Sequence, residues 1–358
     1  MNFVSDVLKS SNGALSKTTY NRGMDRQARL HIIEALRGLA ALGVTWFHLT
    51  SGFTSNDALR ASGSYGWLGV ECFFVISGFV IPYSLYVTNY QIADFGRFFA
   101  RRLVRLEPPY LVSIALVILL QFASSYVPGF RGADPHYSVP QILAHLLYLI
   151  PFTSYHWISD VYWSLAYEFA FYITVGLLFS IVWNRHLLFT AALSGLIFLA
   201  GFWLTHAWDP RLLLFLFGIA AVRYYVGLDR LWLFAACIAA NAGIIALTGS
   251  PLSALAGLIT ALMVVFVKIP AWRPLTALGA ISYSLYLIHP PIGMRVVNFG
   301  RRFIHGQAQE FALSLVALAV SLICAWVFYR AIEVASTRAS KRISLRPAPS
   351  SALARPPT

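Results

Sequence analysis

Long apolar runs constrain this chain more than any other feature. Stretches of about 20 apolar residues, the length a helix needs to cross the hydrocarbon core of a bilayer, recur near 30–51, 65–87, 107–127, 160–183, 186–206, 210–227, 229–248, 251–268, 274–297 and 308–334. Backbone polar groups in lipid must be satisfied within their own segment, so runs of this kind fold as helices. The chain therefore reads as all-α, a polytopic integral membrane protein with about ten transmembrane helices. Its composition agrees, being 58% hydrophobic and only 11% charged with a mean hydropathy of +0.66, where soluble domains hold about 25% charged residues. A shorter apolar piece, 141–152, is broken by Pro151 and is too brief to span easily, so it reads as a short re-entrant or interfacial segment.

Polar ends flank this core, giving a polar amino-terminal segment at 1–29, a transmembrane domain at 30–334 and a basic, disordered tail at 335–358. The first segment is basic (Lys9, Lys17, Arg22, Arg26, Arg29) and lacks the apolar centre of a cleavable signal, so the first helix is expected to act as its own insertion signal. Lys and Arg concentrate on one side: the amino-terminal segment, Arg97, Arg101, Arg102, Arg105, Arg185, Arg223, Arg230, Lys268, Arg273, Arg338, Lys341 and Arg342. Opposite lie Arg60, Arg131, Arg211 and an exceptional group, Arg295, Arg301 and Arg302. The bias predicts a multi-pass protein of the cell inner (cytoplasmic) membrane, in contact with membrane lipids and with both termini cytoplasmic. The net charge of +13 is mostly this bias and gives no support for nucleic-acid binding.

Several chemistries find no support. Cys72, Cys237 and Cys324 sit in apolar spans without paired spacing and read as free thiols. The nine histidines show no metal-ligand spacing, so no metal is expected. Gly-x-Gly-x-x-Gly, Walker and Gly-x-Ser-x-Gly patterns do not occur, which argues against nucleotide hydrolysis and serine-hydrolase chemistry.

Ionisable residues inside the spans are the candidates for function, because each costs a few kcal/mol to bury in lipid, roughly +2.5 to +3.5 for Arg at a helix centre. Arg37 and His48 lie in the first span on nearly one helix face, about 16 Å apart along the axis. Glu34 stands three residues before Arg37, placed for an intrahelical pair. In the second span Glu71 and Ser77 interrupt an apolar run, and Gly69 and Gly78 permit close helix approach. Arg97, Arg101 and Arg105 recur every four residues with Arg102 beside them. That stripe fits either an interfacial amphipathic helix on an anionic leaflet or a site for the phosphates of a nucleotide-bearing donor. Glu168 lies among aromatics, which implies a partner such as a histidine or arginine on another helix. Ser282, Tyr283, Tyr286 and His289 put hydroxyls and an imidazole on one span, and Arg330 with Glu333 reads as a structural pair.

Taken together, the segments resemble the membrane-bound acyltransferase 3 family of sugar O-acyltransferases acting on exopolysaccharide, lipopolysaccharide and Nod factors. The resemblance runs in order through Leu36-Arg-Gly-Leu to His48, Phe73-Phe-Val-Ile-Ser-Gly-Phe, the arginine-rich segment, Trp163-Ser-Leu-x-x-Glu168, Ile281-Ser-Tyr-Ser-Leu-Tyr-Leu-Ile-His289 and Tyr329-Arg-x-x-Glu333. It implies that Arg37 and His48 are essential and that Arg102 and Arg105, with Arg101, serve acyl-CoA, acetyl-CoA being the expected donor. The chain departs from the family pattern at Glu34, where aspartate is common, at Glu107, where tyrosine often follows the arginines, and at Val334, where proline is usual. The fused hydrolase-like domain of some relatives is not expected after the last helix.

The resulting expectation is transfer of an acyl group from cytoplasmic acyl-CoA to a hydroxyl of a sugar or polysaccharide acceptor. Arg37 would hold the donor, and His48 would act as general base or carry a histidyl-acyl intermediate. Glu168 would orient the His48 ring as a triad carboxylate does. The rival reading is a transporter or flippase for a lipid-linked sugar or an acyl group, which buried charges would serve equally well.

Overall fold

The computed structural model describes residues 17–53, 56–127, 135–183 and 209–345. The expected span at 186–206 lies outside them, as do residues 1–16 and the tail from 346 on. Among the described residues, six helices are long and apolar enough to cross a membrane: 31–50, 57–87, 92–125, 160–180, 231–248 and 307–341. The chain is a polytopic, helical membrane protein.

The other expected spans come out differently. Near 210–227 the regular helix is Leu214–Tyr225, with 12 residues, and near 251–268 it is Pro251–Phe266, with 16. The run at 274–297 is divided into Arg273–Ala280, Ser282–His289, a π-helical turn at Pro290–Met294 and Arg295–Gly300. Its break has a local cause: Pro290 and Pro291 remove two ladder donors directly after His289. The apolar piece at 141–152 forms a helix of 8 residues, Val139–Leu146, capped by Ser138, and a 3₁₀ turn at Ile150–Phe152.

We label the helices α1 (Lys17–Thr50), α2 (Asp57–Gly63), α3 (Gly69–Val87), α4 (Phe95–Ser125), α5 (Val139–Leu146), α6 (Trp163–Val182), α7 (Leu214–Tyr225), α8 (Leu231–Thr248), α9 (Pro251–Phe266), α10 (Arg273–Ala280), α11 (Ser282–His289), α12 (Arg295–Gly300), α13 (Gln307–Phe328) and α14 (Val334–Lys341). α1 begins well before residue 30, so the polar segment is helical from Lys17 on. A π-helical turn at Tyr329–Glu333 joins α13 to α14 and carries helix past the 334 boundary to Lys341.

The chain divides into two compact units. The first comprises residues up to Phe73, Leu106–Ala166 and Leu262–Thr337. Here α1 packs backbone to backbone on α10: a Cβ on Gly38 would lie 2.8 Å from the Gly279 nitrogen, and one on Gly279 would collide with the Glu34 carbonyl. Such approach is available only to glycine. Farther along α1, Leu49 and Phe53 pack with Leu59, Val297 and Ala317 in a fully buried core. The second unit comprises Phe74–Arg105, Tyr167–Ala261 and the residues from Arg338 on. Gly78 of α3 and Gly218 of α7 bring those helices together, and Phe215 stacks on Phe171 with ring centroids 4.3 Å apart. Arg223, a loop cation in the topology reckoning, is buried in an ion pair with Asp229 at 2.7 Å.

Candidate active site

In the first unit α1 and α11 bring two imidazoles together. His48 Nδ1 lies 2.9 Å from the Val44 carbonyl oxygen one turn earlier and 3.1 Å from Nε2 of His289. His289 is fully buried, and its Nδ1 lies 2.9 Å from the Leu285 carbonyl oxygen. A carbonyl oxygen only accepts, so in the neutral rings both Nδ1 atoms carry the proton. His289 Nε2 is then an acceptor, and His48 shares one Nδ1–H between Val44 and His289. The proton of His48 is thereby fixed on Nδ1, which leaves Nε2 with a lone pair. Among the described residues no hydrogen bond engages that nitrogen, and the ring is only partly buried. Phe47 closes one side, edge-on at 5.1 Å between centroids.

Hydroxyls fasten α11 in place. The Tyr286 hydroxyl meets the Val161 carbonyl at 3.0 Å and Ser164 Oγ at 2.6 Å, with Phe73 edge-on against its ring at 5.8 Å. Ser282 Oγ donates to the Gly279 carbonyl at 2.8 Å across the break between α10 and α11. The Tyr283 hydroxyl donates to the Leu106 carbonyl at 2.9 Å, close to Pro108 and Pro109 of α4. Ser284 Oγ donates to Glu333 Oε2 at 2.6 Å. Glu333 thus bonds α11, while the exposed Arg330 lies over Trp326 at 6.0 Å. The expected Arg330 to Glu333 pair is replaced because the π turn directs the buried carboxylate inward.

Arg37 sits three turns before His48, partly buried, and among the described residues it makes no hydrogen bond or ion pair. The expected Glu34 to Arg37 pair is therefore not formed. The α10 backbone lies against the Glu34 carbonyl and Gly38, and the Glu34 side chain interacts elsewhere.

Two other groups of this unit are already satisfied. His145 is fully buried; its Nε2 accepts from the Ile158 N–H at 2.9 Å and its Nδ1 reaches the Gln141 carbonyl at 3.0 Å. Burial pushes this imidazole below its ordinary pKa, so it is a neutral clip that shapes the segment after α5. The Tyr148 hydroxyl bonds the Glu107 carboxyl, which accounts for the acid that follows the arginines.

The second unit holds the other cluster. Glu168 Oε1 accepts from Ser77 Oγ at 2.8 Å and from the Tyr172 hydroxyl. The face of the Tyr172 ring carries the Arg102 guanidinium at 5.4 Å, with Phe98 at 5.6 Å and Ser84 Oγ 3.3 Å from Nη2. Glu168 is satisfied here by two hydroxyls rather than by the expected imidazole or guanidinium, with Tyr172 as the link to Arg102. Arg102 is buried, so the surface-stripe reading does not apply to it. Arg97 is exposed and lies 4.0 Å from Asp94, while Arg101 and Arg105 are partly buried. Among the described residues no group of three or more His, Cys, Asp or Glu side chains gathers as metal ligands would.

The model of an acyltransferase domain matches residues 30–330. The chain belongs to the acyltransferase 3 family of membrane acyltransferases. It is 29% identical over 338 residues to the membrane-bound transacylase BcsY of Komagataeibacter xylinus, covering 81% of this chain and 80% of BcsY. It is 25% identical over 369 residues to O-acetyltransferase OatA of Staphylococcus aureus, covering 84% of this chain but only 56% of OatA. No solved structure matches.

Sequence reasoning named His289 as a supporting residue but did not find it as the partner of His48. It also did not foresee the hydroxyl partners of Glu168. The available signal was a histidine directly before Pro290-Pro291 on a Ser- and Tyr-rich helix, a place where a π turn departs from the ladder.

Proposed function

We propose that this acyltransferase moves an acetyl group from cytoplasmic acetyl-CoA to a sugar hydroxyl of an exported or cell-surface glycan. In this reading it lies in the inner membrane with both termini cytoplasmic. The observation that carries the chemistry is the Nε2 of His48, unengaged among the described residues, whose Nδ1–H is shared by Val44 and His289.

In the proposed step His48 Nε2 takes the proton of the acceptor hydroxyl as its oxygen attacks the thioester carbonyl. The carbon–sulfur bond breaks, the thiolate leaves, and the imidazolium returns the proton to it, giving ester and free thiol. While His48 is charged, its Nδ1–H donates to two acceptors, which stabilises the cation. His289 does not pass the proton further, because its own Nδ1–H faces a backbone carbonyl. Arg37 is assigned to the donor, since an unengaged guanidinium on a membrane helix is costly without an anionic ligand. The donor phosphates are assigned to Arg101, Arg102 and Arg105, with Arg102 preorganised by Tyr172 and Phe98. The family membership and the acetyltransferase relatives support the reaction class.

Membrane vesicles containing the full chain, given labelled acetyl-CoA and polysaccharide, are expected to esterify the acceptor. His48→Ala vesicles with the same amount of protein should fall to background. Undiminished transfer by that variant, or sugar uptake without any ester formed, would overturn the reading.

A further inference from the structure

Arginines on the outer side run against the topogenic bias, so each calls for an account. Arg60 pairs with Asp57 at 2.7 Å, and Arg211 pairs with Asp209 at 2.7 Å. Arg295 is held by Gln121, Ser124 and the Pro291 carbonyl. Arg302 lies over the Phe299 ring at 6.0 Å and has a further interaction, and Arg131 lies outside the described residues. Arg301 differs from these. Its guanidinium stacks over the Phe53 ring at 5.1 Å, and among the described residues no acid or hydrogen-bond acceptor engages it. The segment from Pro291 to Gln309 contains three arginines and no acidic residue.

Its position bears on the reaction. Phe53 follows His48 by five residues, and Arg301 follows His289 on the same run of helix through the π turn and α12. At a rise of about 1.5 Å per residue, Phe53 lies roughly 7 Å beyond His48 and the Arg301 backbone roughly 18 Å beyond His289, with the guanidinium over the Phe53 ring. The platform is firm. Phe53 is wholly buried in the core with Leu49 and Val297, and Asn56 Nδ2 ties this end to the Gln307 carbonyl at 3.1 Å. A guanidinium stacked on an aromatic face keeps its edge N–H groups free for bidentate contact with an oxyanion.

We propose that Arg301 is the anion-recognition group for the acceptor, so that the favoured acceptor carries a carboxylate or phosphate on the same short stretch of glycan as the hydroxyl that is acylated. The proposal rests on the acyl-transfer reading above, which makes the His48 end of α1 the side where the acceptor enters. An aromatic-backed arginine fork beyond the base then selects a charged glycan over a neutral one and sets its register.

The test uses the full-length protein in phosphatidylcholine nanodiscs, with hexagalacturonate and its fully methyl-esterified form as matched probes. Wild type is expected to bind the charged form at least about tenfold more tightly, the scale for a hydrogen bond to a charged group. Arg301→Gln should bring the ratio close to one, Arg301→Lys should keep part of it, and Arg60→Gln should keep all of it. Competition by inorganic pyrophosphate against acetate then assigns the anion as phosphate-like or carboxylate-like, and either result supports an anion site. Equal or absent binding of the two forms by wild type, or a ratio unmoved in Arg301→Gln, would overturn the proposal. So would a ratio that arises only when phosphatidylglycerol is added, since that assigns the site to a lipid headgroup. Labelled transfer in the same nanodiscs separates the two readings: transfer without charge preference rejects only the role of Arg301. A charge preference in binding with no transfer to any acceptor rejects only the reaction.

Discussion

The histidine pair of the first unit and the Glu168–Tyr172–Arg102 chain of the second treat polar groups among apolar helices in opposite ways. In the second unit each named group is turned onto another: Ser77 and Tyr172 onto Glu168, and Arg102 onto Tyr172, Phe98 and Ser84. Such a chain holds a charge in place at low cost, because a hydrogen-bonded carboxylate escapes most of the penalty of burial. The histidine pair stops one step short. Three of its four ring nitrogens are engaged, and the fourth, Nε2 of His48, has no hydrogen-bond partner among the described residues. The difference teaches where chemistry can begin: a closed network gives position, and an open valence on a rigidly held ring gives reactivity.

Variants on the two sides should part company accordingly. The largest effect is expected from His48→Ala, with acyl transfer down by at least about 10²- to 10⁴-fold, the range for loss of a general base, while the variant still inserts and loses only about 1–3 kcal/mol of stability from the unsatisfied His289 Nε2. Next, His289→Ala leaves the His48 Nδ1–H with Val44 alone. We expect kcat to fall on the order of 10- to 100-fold, the scale for a partner that orients a reacting ring, with KM little changed. His289→Gln should recover part of this, because its amide oxygen accepts the same proton, and equal losses in the two variants would show that filling space is all His289 does. In the other cluster the loss should appear in stability. Tyr172→Phe removes one donor from Glu168 while keeping the ring under Arg102, and should cost about 1–3 kcal/mol in detergent unfolding with a much smaller change in kcat. Transfer cut tenfold at unchanged stability would break the comparison. Ser77→Ala should cost least, about 1 kcal/mol, since Tyr172 still donates to the carboxylate.

Much of the architecture was legible in the sequence because the bilayer restricts the solutions so strongly. Apolar length alone located the spans that became α1, α3, α4, α6, α8 and α13, and Gly78 announced a close helix crossing. Apolar length does not register the continuity of a helix. The run at 274–297 met the length criterion yet is broken at Ile281 and again at Pro290, where two prolines give up ladder hydrogen bonds that a hydropathy window does not count. The candidate site could be proposed from the sequence in its parts and not in its pairings. Arg37, His48, Glu168 and His289 stand out as ionisable residues in apolar runs, but spacing says nothing of partners 241 residues apart such as His48 and His289. Glu168 invited a charged partner by electrostatic reasoning, and two hydroxyls satisfied it instead. Arg102, one of four similar arginines by sequence, is set apart by burial.

The choice of which His48 nitrogen carries the proton underlies the rest, and nitrogen NMR of the full chain with labelled histidine, at a pH where the ring is neutral, reads it directly. The proposed geometry requires a protonated, pyrrole-type Nδ1 and a pyridine-type Nε2 on His48, with the Nδ1 proton coupled across to Nε2 of His289. A pyridine-type Nδ1 with the proton on Nε2 would contradict it, since His48 would then present the acceptor hydroxyl with a donor instead of a base.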